Sequence, residues 1–525
     1  MEKVLEKKKT FIIIFLFAVA VAVRFAFLSE VPLGLNQDEA SAGYDAWSIL
    51  NFGIDRNGYK LPLYLFAWGS GQSALYAYLS IPFIAVLGLN VFSIRIVQAL
   101  VSIATLIVFY KLVKRIEEYD TKESASNFKY FPFVALFIFV ICPWHIMLSH
   151  FALDANLFTA FFLFAVYTLL YSIDKKRIFF YLAIVLFGIS LYAYAISYIV
   201  VPIFLSISCL ILLKNRKIKI KQILIAVGIF LIIAAPLVIM NLNNMGILQN
   251  VKLPLFSVPQ FSSYRGGEVA FSNIKSGISS IINLIFLQKE QLLYNAIPEY
   301  GTLYKCSFIF LILGLIYAFH RLIKNIKNVN MTVNTVMCIW FIVAFFSSSL
   351  INKLNTYRIN IIFIPCIYFI ALGIVWSAKN IKVILTILLI YGVLFISFTS
   401  SYFTEYNTRK NLKYYFFNGI VEAVQYAEKM PSDTIYVTNS INQPYIFVLF
   451  ATKENPQNFI NTVEIVREDV AFQQIKSLGR YKFGYSLNSI DYDSVYIIDK
   501  DPISRFSKAK WNRKEFNDYV VMSPK

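Results

Sequence analysis

Along most of the chain the apolar residues fall in unbroken blocks long enough to cross a bilayer, which takes about 20 residues as a helix. The blocks lie at roughly Phe11–Leu28, Val91–Tyr110, Phe131–Met147, Leu157–Ile173, Ile178–Leu191, Tyr198–Leu213, Ile223–Met240, Tyr304–Phe319, Val333–Leu350, Ile359–Trp376 and Ile381–Ser400. They predict about eleven transmembrane helices. A further apolar piece, Ala74–Gly88, is short and contains Pro82, so its status must come from elsewhere.

The polar positions between the blocks supply it. Lys7 to Lys9, Lys111/Lys114/Arg115, Lys175 to Arg177, Lys214 to Lys221, Arg321/Lys324/Lys327 and Lys379/Lys382 are basic clusters of the kind retained in the cytoplasm. All fall on the side of the N-terminus if Ala74–Gly88 does not cross, so that piece is expected as a juxtamembrane or re-entrant helix on the outer face. The same bookkeeping places four regions outside. They are the loops 29–90, 149–156 and 241–303, and everything after Ser400. The expected division is a transmembrane catalytic domain over 1–400 and an extracytoplasmic α/β domain over 401–525.

Past Ser400 the pattern changes to short mixed pieces. A helical stripe at Ile420, Val421, Val424 and Ala427 predicts a helix over Gly419–Met430, ended by Pro431. Asp433–Thr438 and Ser494–Asp499 read as strands, and Glu464–Leu478 reads as another helix. Together they predict a small α/β domain.

Composition narrows the class. Of 525 residues 58% are hydrophobic and 15% charged, and the mean hydropathy is +0.62, which excludes an ordinary soluble globular chain. The net charge of +19 is dispersed in the short clusters between spans, so it reads as topology and not as a nucleic-acid surface. Five cysteines (Cys142, Cys209, Cys306, Cys338, Cys366) sit in apolar runs at scattered spacing and form neither a disulfide framework nor a metal motif. The basic flank of the first apolar block lacks a convincing cleavage site after it, so the block is expected as a retained span. Short cytoplasmic connections and the lack of a phosphate-binding glycine motif leave no place for a nucleotide.

Candidate chemistry begins with Gly34–Trp68, where Asp38 and Glu39 stand side by side beside a span, followed by aromatics, Arg56 and Lys60. Paired carboxylates provide a base whose proton affinity is tunable by burial, and cations nearby could hold a lipid phosphate. The plain reading is a solvated loop. Asp154, in SHFALDANLF, reaches the same face in this topology, or else caps the following helix. Lys60, Arg358 and the more weakly indicated Arg265 are the cationic candidates; Arg358 could instead be an interfacial snorkelling residue. His145 and His150 lie near Asp154 and with Asp38 or Glu39 could form a metal site, but a spacing of five is not a metal-ligand pattern, so no cofactor is expected and a divalent metal is not favoured. Arg24 and Arg95 are the charges intruding into spans, and the midplane carboxylates typical of coupled transporters are missing.

NQDEASAGYDAWSIL, GYKLPLYLFAW, VLGLNVFSIR and PWHIMLSHFALDAN, in this order, resemble the bacterial protein-mannosyltransferase-like branch of the GT-C glycosyltransferases, glycosyltransferase family 39, which is similar to the lipid A aminoarabinose transferases. The resemblance covers roughly Phe11–Leu213 and continues through IPEYGTLY and NTYRINIIFIP. It implies an inverting, membrane-embedded transferase of the cell envelope that takes a sugar from a polyprenyl-phosphate donor on the outer face. By resemblance Asp38 is the general base, with Glu39 completing the pair. Asp154 positions the acceptor or supports the base, while Lys60 and Arg358 contact the donor phosphate. His150 departs from the commoner pattern, in which arginine follows the serine. The acceptor could be a protein, a lipid or a wall polymer. The competing expectations are a polyprenyl-linked glycolipid flippase without catalytic activity and a scaffold whose outer domain binds a partner.

Overall fold

The computed structural model describes residues 2–116, 126–248, 256–263, 266–466, 472–486, 488–500, 506 and 510–525. The chain divides into two compact units. The first comprises Met1–Ala26, Gln98–Ala235 and Gly267–Glu405; the second comprises Phe27–Val97, Pro236–Gly266 and Tyr406–Lys525. This grouping differs from a boundary at residue 400, because the first long loop clusters with the C-terminal segment.

The helices are α1 (Glu2–Phe25), α2 (Gln37–Phe52), α3 (Leu75–Leu87), α4 (Val91–Lys114), α5 (Phe131–Val140), α6 (Pro143–Ser149), α7 (Ala155–Asp174), α8 (Ile178–Ser190), α9 (Ser197–Lys214) and α10 (Ile220–Asn244). They continue with α11 (Ile274–Ile281), α12 (Ser307–Lys324), α13 (Val333–Ser349), α14 (Phe363–Ser377), α15 (Ile381–Ser400), α16 (Ile420–Ala427), α17 (Pro444–Thr452) and α18 (Pro456–Thr462). Among the described residues seven helices are long and apolar enough to cross a membrane, or eight if the bent pair α5 and α6 is one span. The remaining expected spans are present as helices too, but α8 and α13 are shorter. The apolar piece after the first loop is the 13-residue α3, about 20 Å long at 1.5 Å per residue and too short to cross.

Two local features of the first unit follow directly from sequence. The Phe131–Met147 block breaks into α5 and α6 with a 53° bend, because Pro143 has no N–H to give the Phe139 carbonyl. The Trp144 N–H turns to Thr302 instead of Val140. Arg24 donates to both carbonyls, to the Val140 oxygen at 3.1 Å and to the Phe139 oxygen at 3.3 Å, the latter also accepting from the Cys142 N–H at 3.4 Å. Elsewhere in the unit α12 and α14 approach almost backbone to backbone. A Cβ on Gly314 would lie 1.8 Å from the Phe369 oxygen, and one on Gly373 2.0 Å from the Phe310 oxygen, the close packing that small residues allow between membrane helices. The helical stretch ending in α14 is buried over 94% of its apolar window and the one beginning with α15 over only 17%. The first is a central helix, while the second exposes its apolar surface.

The second unit carries the strands β1 (Tyr64–Ala67), β2 (Ser70–Ser73), β3 (Ile435–Val437), β4 (Val463–Ile465), β5 (Ile475–Leu478), β6 (Tyr481–Phe483), β7 (Val495–Asp499), β8 (Trp511–Phe516) and β9 (Tyr519–Pro524). β1 and β2 form a hairpin, and the other seven form one sheet in the order β4-β5-β6-β3-β7-β9-β8, parallel only across β6-β3-β7. The helix expected over Gly419–Met430 is α16, which buries Ile420, Ala423, Val424 and Ala427. The helix expected over Glu464–Leu478 is not formed where described: its ends are the antiparallel strands β4 and β5. β-Branched Val463, Ile465 and Ile475 suit a pleated surface, and pairing at the sheet edge overrides the helical spacing. On one face Tyr496, Ile498, Phe506, Trp511, Val520 and Met522 make a compact core.

Candidate active site

The site grows from the start of α2. Asn36 caps the helix, its side chain accepting from the Asp38 N–H, while Glu39 reaches back to the Asn36 N–H at 3.1 Å, a reciprocal capping box. Glu39 is fully buried and meets the equally buried Arg95 through two parallel bonds, 2.8 Å from Nε and 2.9 Å from Nη2. Arg95 spends its remaining donors on the carbonyls of Leu28, Pro32 and Gly34. The loop before α2 is therefore wrapped around one guanidinium. A buried ion pair survives only when its other hydrogen-bonding capacity is met, and here it is. Gly34 permits the loop to touch the C-terminal segment, where a Cβ would stand 2.7 Å from the Asn418 nitrogen. Asn36 Nδ2 donates to the Tyr415 oxygen at 2.8 Å.

Asp38, one residue before Glu39, is left half-buried by this arrangement. Its Oδ1 accepts from Trp68 Nε1 at 3.2 Å. Trp68 sits at the apex of the β1–β2 hairpin with φ 58°, followed by Gly69 with φ 78°, the left-handed pair required by a tight hairpin turn. The Arg56 guanidinium lies 5.1 Å from the Trp68 ring centre, near enough for a cation–π contact.

Arg56 is buried, and so are the carboxylates beside it, Asp45 and Asp55. It pairs with Asp45 at 3.3 Å and donates to Ser41 Oγ at 2.6 Å. Asp55 Oδ1 accepts the N–H groups of Asn57 and Tyr59, both at 2.9 Å; its Oδ2 has no hydrogen-bond partner among the described residues. Burial, with the Asp45 charge adding to it, pushes the Asp55 carboxyl up to about 7. Burial works against the Arg56 charge, but Asp45, Tyr445 and Asp55 outweigh it and hold the guanidinium protonated. Arg56, a possible phosphate contact on sequence grounds, is thus committed internally.

The structure places the expected residues as follows. Asp38, Glu39 and Lys60 belong to the second unit. Lys60 is exposed at the end of the α2–β1 connection, its backbone N–H donating to Ser257 Oγ at 3.0 Å. Asp154 and Arg358 belong to the first unit. Asp154 is 9% exposed and accepts from the Ala155 N–H at 2.8 Å at the head of α7, the capping position that sequence also allowed. Arg358 pairs with Glu268 at 3.1 Å and donates to the Asn352 oxygen at 3.0 Å. Arg265 lies outside the described residues. Nearby in the first unit Asn360 donates to Asn156 at 2.8 Å and accepts from Trp144 Nε1 at 2.9 Å.

Both histidines have structural partners. His145 Nδ1 is 2.9 Å from Arg24 Nη2, and since arginine only donates, that nitrogen accepts and the imidazole proton is on Nε2. His150 faces the Ile146 and Ala26 carbonyls. Among the described residues there is no group of three His, Cys, Asp or Glu able to hold a metal ion.

Trp68, Arg95, Asp45 and Asp55 are the residues that reading the sequence passed over or left unassigned. A lone arginine in an apolar stretch requires a buried carboxylate partner, which could have led from Arg95 to Glu39. Trp-Gly between two short strand-like pieces is a hairpin signal, but it says nothing of what the indole would touch.

The fold is that of a polytopic helical membrane protein with a small sheet domain at the C-terminal end. It resembles the crystal structure of ArnT from Cupriavidus metallidurans bound to undecaprenyl phosphate, with a TM-score of 0.61 at 12% identity, covering 97% of this chain and 97% of that one. The apo state of the same protein gives a TM-score of 0.60 at 11% identity with 98% of each chain covered. No family model and no curated protein matches the sequence.

Proposed function

We propose that the protein is an inverting glycosyltransferase that moves a sugar from a polyprenyl-phosphate donor to a hydroxyl acceptor. The observation that carries this is Asp38: a half-buried carboxylate at the head of α2, held by an indole N–H, in a chain that shares its fold over nearly its whole length with ArnT, a protein crystallised with undecaprenyl phosphate. In the reaction the acceptor O–H gives its proton to Asp38 as its oxygen bonds the anomeric carbon. The bond from that carbon to the phosphate oxygen breaks, and its electron pair leaves on the polyprenyl phosphate. One base and cations at the departing phosphate are enough, because the leaving group is already good.

Lys60 and Arg358 are the cations assigned to the phosphate, with Arg265 a third. Asp154 is assigned to the acceptor side. Glu39, whose oxygens are taken by Arg95 and the Asn36 N–H, serves as a positioning residue for the loop that carries Asp38. The basic connections orient the N-terminus to the cytoplasm and the site to the outer surface of the cell membrane, with the C-terminal sheet domain on that same side. The acceptor is a protein, lipid or wall polymer.

The test supplies purified protein in nanodiscs with a panel of polyprenyl-phosphate sugars and crude membrane acceptors, and follows release of free polyprenyl phosphate. Release with one donor, lost in Asp38→Asn, supports the assignment. Unchanged release in Asp38→Asn removes Asp38 as the base, and no release with any donor while labelled lipid changes leaflet replaces the transferase by a flippase.

A further inference from the structure

Trp68 is an expensive residue to place where it is. A bulky aromatic in the left-handed region is an outlier, and such strain persists only where the surroundings over-determine it. Here they do, from every side. The Trp68 carbonyl accepts from the Phe472 N–H at 2.6 Å and the Gln473 N–H at 3.1 Å. Its ring meets Tyr445 edge-on at 5.9 Å, and Tyr445 is in turn stacked on Phe459 at 5.8 Å. Arg56 lies over the indole face and is itself fixed by Asp45 and Ser41. The indole is 8% exposed, and its N–H points at Asp38 Oδ1. A second strand of contacts closes the ring: Ser41 Oγ donates to Gln72 Oε1 at 3.0 Å, and Gln72 Nε2 points at the Asp38 carbonyl at 3.5 Å.

We propose that Trp68 is a positioning residue that aims the Asp38 carboxylate at the acceptor, and that the C-terminal segment, through Tyr445, Phe472 and Gln473, is the clamp that holds it. This rests on Asp38 being the base, and it gives the C-terminal domain a part in the reaction that needs no ligand of its own. The N–H bond fixes the orientation of the carboxylate through Oδ1.

Trp68→Phe keeps an aromatic ring and removes the donor. Replacing Trp68 by benzothienylalanine, which has sulfur in place of the N–H at almost the same shape, covers the case in which the phenyl ring fails to support folding. The expected result in either variant is a fall in kcat of roughly tenfold or more, the order of one lost hydrogen bond to a charged group. Donor KM should stay within about twofold, so that the loss falls on kcat and not on donor binding. A wild-type kcat in the benzothienyl variant, with Asp38→Asn inactive, overturns the positioning role and leaves the base assignment standing. Activity in Asp38→Asn overturns both.

Discussion

Glu39 and Arg95 are 56 residues apart and form a fully buried, two-pronged ion pair, 2.8 Å and 2.9 Å between heavy atoms. Removing one partner of such a pair leaves a buried charge uncompensated, at a cost of about 3–5 kcal/mol. Arg95→Met should therefore lower the apparent melting temperature in detergent sharply, whereas the double variant Glu39→Leu/Arg95→Met should recover part of the loss. A double-mutant cycle with no coupling between the two positions would contradict the arrangement.

The same pair shows what could be read from the chain alone. Spans and the DE motif are local and legible, because hydrophobic length and motif spacing are properties of consecutive residues. What Glu39 does is not local: its partner lies 56 positions away, and the two adjacent carboxylates look alike until Arg95 claims one of them. Asp38 is set apart from Glu39 by Trp68, 30 positions on. The helix expected over Glu464–Leu478 went astray for the same reason, since β4 and β5 are strands by virtue of pairing with each other and with β6. Pro143, by contrast, foretells its own break in the helix, though not that Arg24 donates to the carbonyls there.

Asp55 gives a pH prediction with a definite sign. Its carboxyl is raised from 3.8 to about 7 by burial, so between those values the folded protein holds a proton that the unfolded chain has lost. Stability from this group is present at the acid end and is lost as pH rises through about 7. Asp55→Asn keeps the oxygen that accepts from Asn57 and Tyr59 and cannot ionise. Its melting temperature should exceed that of wild type by a margin that widens from pH 4 to pH 8, measured in one detergent. A margin that narrows over that range would show that the carboxylate, not the acid, is the form the fold prefers.

Gly314 and Gly373 allow α12 and α14 to approach within the space a single methyl would need. Gly314→Val should prevent correct packing of this pair, because the obstacle is the Phe369 carbonyl and not a movable side chain. The expected loss exceeds the roughly 1–3 kcal/mol of ordinary overpacking, read as a fall in the detergent-solubilised monodisperse fraction. At Gly392, where nothing lies within 4 Å of an added Cβ, the Gly392→Val variant should behave as wild type.

Lys60 and Arg358, two of the cations assigned to the phosphate, differ in a way that salt can expose. Arg358 is 14% exposed and already shares its charge with Glu268 at 3.1 Å, so added salt screens little of what it offers. Lys60 is exposed, and attraction between a donor phosphate and an exposed ammonium is screened over about 10 Å at 0.1 M salt and about 3 Å at 1 M. If Lys60 contributes to holding the donor, donor KM should climb with ionic strength in wild type. In Lys60→Ala it should be higher at low salt, by roughly tenfold, and nearly flat thereafter. Arg358→Ala should raise donor KM at every salt concentration while keeping the wild-type slope. A slope that survives in Lys60→Ala and disappears in Arg358→Ala would exchange the two roles, and a flat wild-type profile would move the phosphate contact away from Lys60.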